Sequence, residues 1–181
     1  MRLLILAVAL LLAACEPGAN GPLAGSNGCA LVAERTVAFT GPEARDTVEA
    51  RAIGRDCAGA VVVWTVRNAA GKPLFAHAAP YEWIHKPVDP TSAAQLQAFL
   101  DSWASAPVDD TSASPEWKAD GVTAPEAWGP GGASMFVRET YESIRAAKLP
   151  RICLPISSDA YQCIFYDAEA EAVDVHFSGG A

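Results

Sequence analysis

Ala60-Val61-Val62-Val63-Trp64-Thr65-Val66-Arg67 is the stretch on which the fold turns. Branched and aromatic side chains dominate it and fall on both faces of an extended chain. That pattern predicts a central strand covered on both sides, at the middle of a sheet. Asn68-Ala69-Ala70-Gly71 follows as a turn, with Gly71 placed to take a positive φ, and Pro73 to Ala79 returns as the partner strand.

Upstream, Cys29 to Thr40 carries strand-forming residues and is punctuated by Gly41-Pro42, and the more polar Asp46 to Arg55 is a second candidate strand. Downstream, Ser92 and Gln95 make a Ser-x-x-Gln capping box, and Leu96, Phe99, Leu100 and Trp103 repeat at helical spacing. A second helix is predicted over about 134–148, with Val137, Tyr141 and Ile144 on one side, Arg138 and Glu142 four apart on another, and Pro150 ending it. The chain closes with a hairpin centred on Ser158 and a last strand, Ala172 to Phe177. There Val173, Val175 and Phe177 alternate with Asp174 and His176, so one face is buried and the other wet. The order predicts an α+β fold: an antiparallel or mixed sheet of about five to six strands with two helices packed on one side.

The first fifteen residues concern address. Met1-Arg2 is a short charged segment, Leu3 through Leu12 an apolar run, and Ala13-Ala14 a small-residue pair. That is the layout of a cleaved secretory signal, and the run is too short for a stable membrane span. Leu12-Ala13-Ala14-Cys15 resembles the lipobox of bacterial lipoproteins. The resemblance covers four residues and implies cleavage before Cys15, acylation of that cysteine, and anchorage in the cell envelope by lipid chains such as palmitate. Glu16 in place of Asp after the modified cysteine implies the outer membrane of a double-membrane cell, facing the periplasm. Residues 16–28 hold four Gly, two Pro and one large apolar residue, and read as a flexible tether. The expected organisation is a signal peptide at 1–14, lipidated Cys15 and tether at 15–28, and one domain at 29–181.

Cleavage at that point leaves 12 basic and 21 acidic side chains, a net charge of −9. That balance disfavours nucleic acid and anionic lipid and suits a basic protein or a cation, with a solvated acidic surface kept for solubility as the competing reading. Four cysteines remain, Cys29, Cys57, Cys153 and Cys163, an even number in a chain destined for an oxidising compartment. Of the three possible connectivities, local pairing is favoured. With Ser157-Ser158-Asp159 as a three-residue loop, Cys153 and Cys163 sit opposite on one sheet face.

Between the helices, residues 106–133 hold four Pro, four Gly, Trp117, Trp128 and the carboxylates Asp109, Asp110, Glu116, Asp120 and Glu126. A stretch this long without a periodic pattern is functional or disordered, and large aromatics anchor interfaces. Trp117, Trp128, Glu116 and Glu126 are therefore the candidate partner-binding residues, with two rings folded back as core plugs as the competing reading.

Chemistry is less marked. Asp174-x-His176 could hold a cation or orient an imidazole on a wet strand face. Ser157 and Ser158 have no nucleophile elbow around them, and Gly129-Pro130-Gly131-Gly132 lacks the lysine of a phosphate loop. No metal or cofactor is implied. The sequence thus points to a non-enzymatic module that binds a protein or cell-wall partner, with properties that would also suit an inhibitor of a basic enzyme. The alternatives are a cell-wall or small-molecule hydrolase, which needs His176 to converge with a serine or carboxylate, and a structural spacer.

Overall fold

The computed structural model describes residues 28–84, 92–117 and 134–180. Two four-stranded antiparallel sheets carry most of the regular secondary structure among the described residues. The first is a meander of β1 (Cys29–Val37), β2 (Asp46–Gly54), β3 (Val61–Arg67) and β4 (Pro73–Pro80), in that spatial order. A one-turn helix α1 (Tyr81–Ile84) and the longer α2 (Ala93–Ala104) follow. The second sheet is β5 (Val108–Asp110), β6 (Pro150–Ser157), β7 (Ala160–Asp167) and β8 (Ala172–Gly180), again in chain order, with helix α3 (Arg138–Ala147) inserted before β6.

The single sheet of five to six strands expected from the sequence is therefore two sheets, and the helices are divided between them. α2 lies against β1 and β2, while α3 lies over the short 3-10 turn Thr111–Ala113. Val62, Trp64 and Val66 from the first sheet, Leu96 and Leu100 from α2, and Ile152, Leu154 and Ile164 from the second sheet share one core. Two indoles cross-link these layers: Trp64 Nε1 donates to the Trp103 carbonyl at 3.2 Å, and Trp103 Nε1 donates to the Pro155 carbonyl at 3.2 Å. Such bonds satisfy the polar tip of a ring whose body is buried.

β3 is interior to its sheet, but its second face is covered only in part, with Thr65 buried and Val63 half-buried. Val62, Trp64 and Val66 are buried while Val61 is 42 % exposed. The Asn68–Gly71 turn forms as read, with Gly71 at φ 79° and the Asn68 side chain accepting from the Ala70 and Lys72 backbone amides. The capping box forms too: Gln95 N–H donates to Ser92 Oγ, and Ser92 N–H to Gln95 Oε1. α3 is shorter than predicted, closed by Lys148 in the left-handed conformation at φ 51°.

Both disulfides pair locally, Cys29 with Cys57 and Cys153 with Cys163. Cys153 and Cys163 face each other across β6 and β7, but the turn between them is shorter than the predicted loop. Ser157 pairs with Ala160, leaving Ser158 and Asp159 as the turn, and Ile156 is the extra residue of a bulge.

Candidate functional site

The 28-residue stretch between the helices is structured over its opening residues. Val108, Asp109 and Asp110 pair with Ile152, Arg151 and Pro150 as the edge strand β5, and Asp110 caps the 3-10 turn through Ser112 N–H at 2.7 Å. A three-residue strand, Val-Asp-Asp after Pro107, is too short for any periodicity to betray it, which is why the sequence reads as loop. Residues 118–133, with Glu126 and Trp128, lie outside the described residues, as do Cys15 and residues 16–27 of the tether.

α3 grips the chain that leads into that segment. Arg145 donates to the Ser112 and Ser114 carbonyls, the Tyr141 hydroxyl to the Pro115 carbonyl at 2.8 Å, and the Trp117 amide donates to Glu142 Oε1 at 2.8 Å. Arg145 also pairs with Glu142 at 2.8 Å, and Arg138, four residues before Glu142 as the spacing suggested, acts on it through its charge. Burial works against the Glu142 carboxylate. Its bonds from Arg145 and the Trp117 amide, with the charges of Arg145 and Arg138, outweigh burial and hold its pKa below the ordinary value. The Trp117 ring is half-buried edge-on against Tyr141, centroids 5.4 Å apart, so this tryptophan is partly a plug. Glu116 is exposed.

Underneath lies a buried polar chain that the sequence did not reveal. Arg151, in β6, makes a two-pronged pair with Asp109 at 2.8 and 2.7 Å and donates from its other nitrogen to Ser114 Oγ at 2.6 Å. Ser114 Oγ lies 2.9 Å from His176 Nδ1, and His176 Nε2 lies 3.4 Å from the Tyr141 carbonyl. The imidazole stacks on the Tyr141 ring at 4.4 Å and meets the Phe165 edge at 5.8 Å. Ser114 and Arg151 are each 3 % exposed and His176 is fully buried.

Counting protons fixes the direction of the chain. Arg151 can only donate, so Ser114 Oγ accepts from it, and the Tyr141 carbonyl can only accept, so His176 Nε2 carries a proton. Burial keeps the ring neutral, which leaves Nδ1 to accept from the Ser114 hydroxyl. Burial pushes the ring's pKa down to about 4, opposed by the Tyr141 carbonyl and reinforced by the nearby charges of Arg151 and Arg145. Burial likewise raises the Tyr141 phenol to about 12, so it stays a donor.

His176 reaches this position through a bulge. Cys163 pairs with Phe177 and Ile164 with Val175, so His176 is the extra residue on β8. An extra residue breaks the alternation of faces and re-aims the side chains on either side of it. Hence Phe177 leaves the face of Val173 and Val175 and joins Tyr141 and Cys163 in a second small cluster. The expected wet face with an Asp174-x-His176 pair is corrected accordingly: Asp174 is exposed and His176 is not. Among the described residues no group of three metal-ligating side chains occurs. Ser157 and Ser158 lie at the hairpin tip beside Gly180, along the strand from His176.

The segment's other end is fastened to the same residue. Ser134 Oγ donates to the His176 carbonyl at 2.7 Å and accepts from the Phe136 amide at 3.2 Å, while the Phe136 ring packs on Phe165 at 6.1 Å. One histidine therefore holds Ser114 with its ring and Ser134 with its backbone. Among the described residues, one surface hollow is lined by Phe99, Trp103, Pro107 and Pro155 and another by Ser157, Asp159, Tyr161 and Gly180; neither is lined by Ser114 or His176. The signal for this network was Arg151, a lone charge two residues from Cys153 in an apolar strand. A charge on the disulfide's face of the sheet must be paired or exposed. No known family model, curated protein or solved structure matches the chain.

Proposed function

We propose that the chain is an envelope lipoprotein, acylated at Cys15 and facing the periplasm from the outer membrane, that binds a basic protein or cell-wall partner through the segment between Trp117 and Ser134. The observation that carries this reading is the fastening of both ends of that segment to His176. Buried charge and imidazole are expensive to desolvate, and an apolar filling of equal volume would serve stability as well. What such a network supplies is a fixed geometry for the chain on either side of residues 118–133, and the proposed contact residues are Glu116, Trp117, Glu126 and Trp128. The net charge of −8 of the whole chain favours a basic surface, as an inhibitor of a basic enzyme would meet.

The experiment compares envelope proteins recovered by the acylated parent with those recovered by a variant in which residues 118–133 are replaced by a Gly/Ser linker. A partner bound by the parent and lost in the variant supports the reading. Identical recovery by both sinks it.

A hydrolase is the second reading, favoured by the 2.9 Å contact of Ser114 with His176. The arrangement lacks an approach to the nucleophile: Ser114 is 3 % exposed, and Arg151 occupies its acceptor side. Fluorophosphonate labelling of the parent, absent in Ser114→Ala, would bring this reading forward; an unlabelled parent removes it.

A further inference from the structure

The outer face of the first sheet carries an open apolar patch at one end. Ala30, Ile53, Val61 and Pro80 stand in one cross-strand row, and Val32, Arg51, Val63 and Ala78 form the next. Ile53 is 48 % exposed, Val32 47 % and Val61 42 %. Side chains scattered singly over a surface need no account, but these are neighbours by register.

Two further features converge on the same end. The described chain begins at Gly28, and Cys29 is the residue before the apolar row, paired with Gly54. Tyr81 N–H donates to the Ala60 carbonyl at 2.9 Å, which seats α1 beside the start of β3. The Trp83 carbonyl accepts from Ser158 N–H at 2.6 Å, so the backbone carrying Trp83 is held from both sides. The Trp83 ring is 62 % exposed. Trp83 follows three residues after Pro80, where the apolar row ends, and an exposed tryptophan at the end of a row of branched aliphatics is a composition suited to a membrane interface.

We propose that this end of the first sheet, with Trp83, Ile53, Val61 and Val32, docks on the bilayer that holds the lipid anchor. The inference rests on acylation at Cys15. From Cys15 to Gly28 the chain has thirteen steps, which span at most roughly 45 Å, and the described chain starts at Gly28, next to the apolar row. An anchored domain therefore meets its membrane repeatedly, with this end foremost. The acidic charge selects a leaflet of neutral headgroups over an anionic one.

The test uses the full acylated chain in phosphatidylcholine vesicles containing brominated acyl chains, with palmitate incorporation followed in parallel. The expected result is a quenched tryptophan component that disappears in Trp83→Phe and in Ile53→Glu, while palmitate incorporation is unchanged in both. An acylated chain whose Trp83 is unquenched overturns the docking and leaves the anchor standing. A chain that incorporates no palmitate at Cys15 overturns the anchor, and if Trp83 is also unquenched it overturns the docking with it. Concentration-dependent dimers in detergent that Ile53→Glu dissolves, with Trp83 unquenched in vesicles, assign the face to a second copy of the chain instead.

Discussion

His176 makes the stability of this protein sensitive to mild acid. In the unfolded chain its pKa is near 6.5, and in the folded chain burial lowers it to about 4. Between those values the unfolded state binds a proton that the native state refuses, so stability present above pH 6.5 is lost as the pH falls. From pH 7 to pH 5 the loss is about 2 kcal/mol from this residue. Burial lowers His77 as well, against its bond to the Ile156 backbone, and adds in the same direction. Urea unfolding at the two pH values measures the total, and His176→Gln should flatten most of the difference. Equal pH dependence in parent and variant would contradict the assignment. Asp109 offers a second check. Its partner Arg151 has a side chain 4 % exposed, whereas Asp109 is 44 % exposed. Asp109→Ala strands the guanidinium and should cost about 2 to 3 kcal/mol, below the usual range for a fully buried pair because solvent already reaches the carboxylate. A change under about 0.5 kcal/mol in urea would show that Ser114 alone suffices to hold Arg151.

At the scale of elements, what the sequence made legible followed from local rules. The capping box of α2, the Asn68–Gly71 turn and the opposition of Cys153 and Cys163 each depend on residues close along the chain, and each was readable. The bulge at His176 was not, because its cause is the partner strand: only the pairing of Cys163 with Phe177 and Ile164 with Val175 defines an extra residue. β5 escaped for a similar reason: Val108, Asp109 and Asp110 are held as a strand by their pairing with Ile152, Arg151 and Pro150. The candidate binding residues were named without the fastening beneath them, since Ser114, Arg151 and His176 are far apart in sequence. Gly54 gives the prediction at this scale. A Cβ there would lie 2.9 Å from both the Ala60 Cα and the Asp56 carbonyl oxygen, backbone atoms of the turn that carries Cys57. Gly54→Ala should therefore lower stability by about 1 to 3 kcal/mol, read as a fall in thermal midpoint. An unchanged midpoint would mean the turn relaxes freely.

For the whole molecule, the division into two sheets gives each its own disulfide, spanning 28 residues in the first and 10 in the second. On the chain-entropy model removal of the second bridge costs about 3 kcal/mol and removal of the first somewhat more. The two changes sit in different sheets, so their costs should add; denaturation of the two double-alanine variants and the quadruple variant measures this. A deficit larger than the sum would show that the sheets lean on one another through Trp64 and Trp103. The expectation of one sheet failed because the helix-and-strand order is the same whether β5 to β8 extend the first sheet or form their own.

The position of the Cys29–Cys57 bridge also decides how the domain bears mechanical load. β1 is an edge strand, and a pull arriving along the chain from Gly28 acts on its first residue, the geometry in which backbone hydrogen bonds break in succession like the teeth of a zipper. Because Cys29 is joined to Cys57, the pull passes instead into the link between β2 and β3, the two interior strands, whose hydrogen bonds must yield together. In an oxidising compartment the domain thus resists being unravelled from its N-terminal side, and reduction of one bond converts it into a fold that peels.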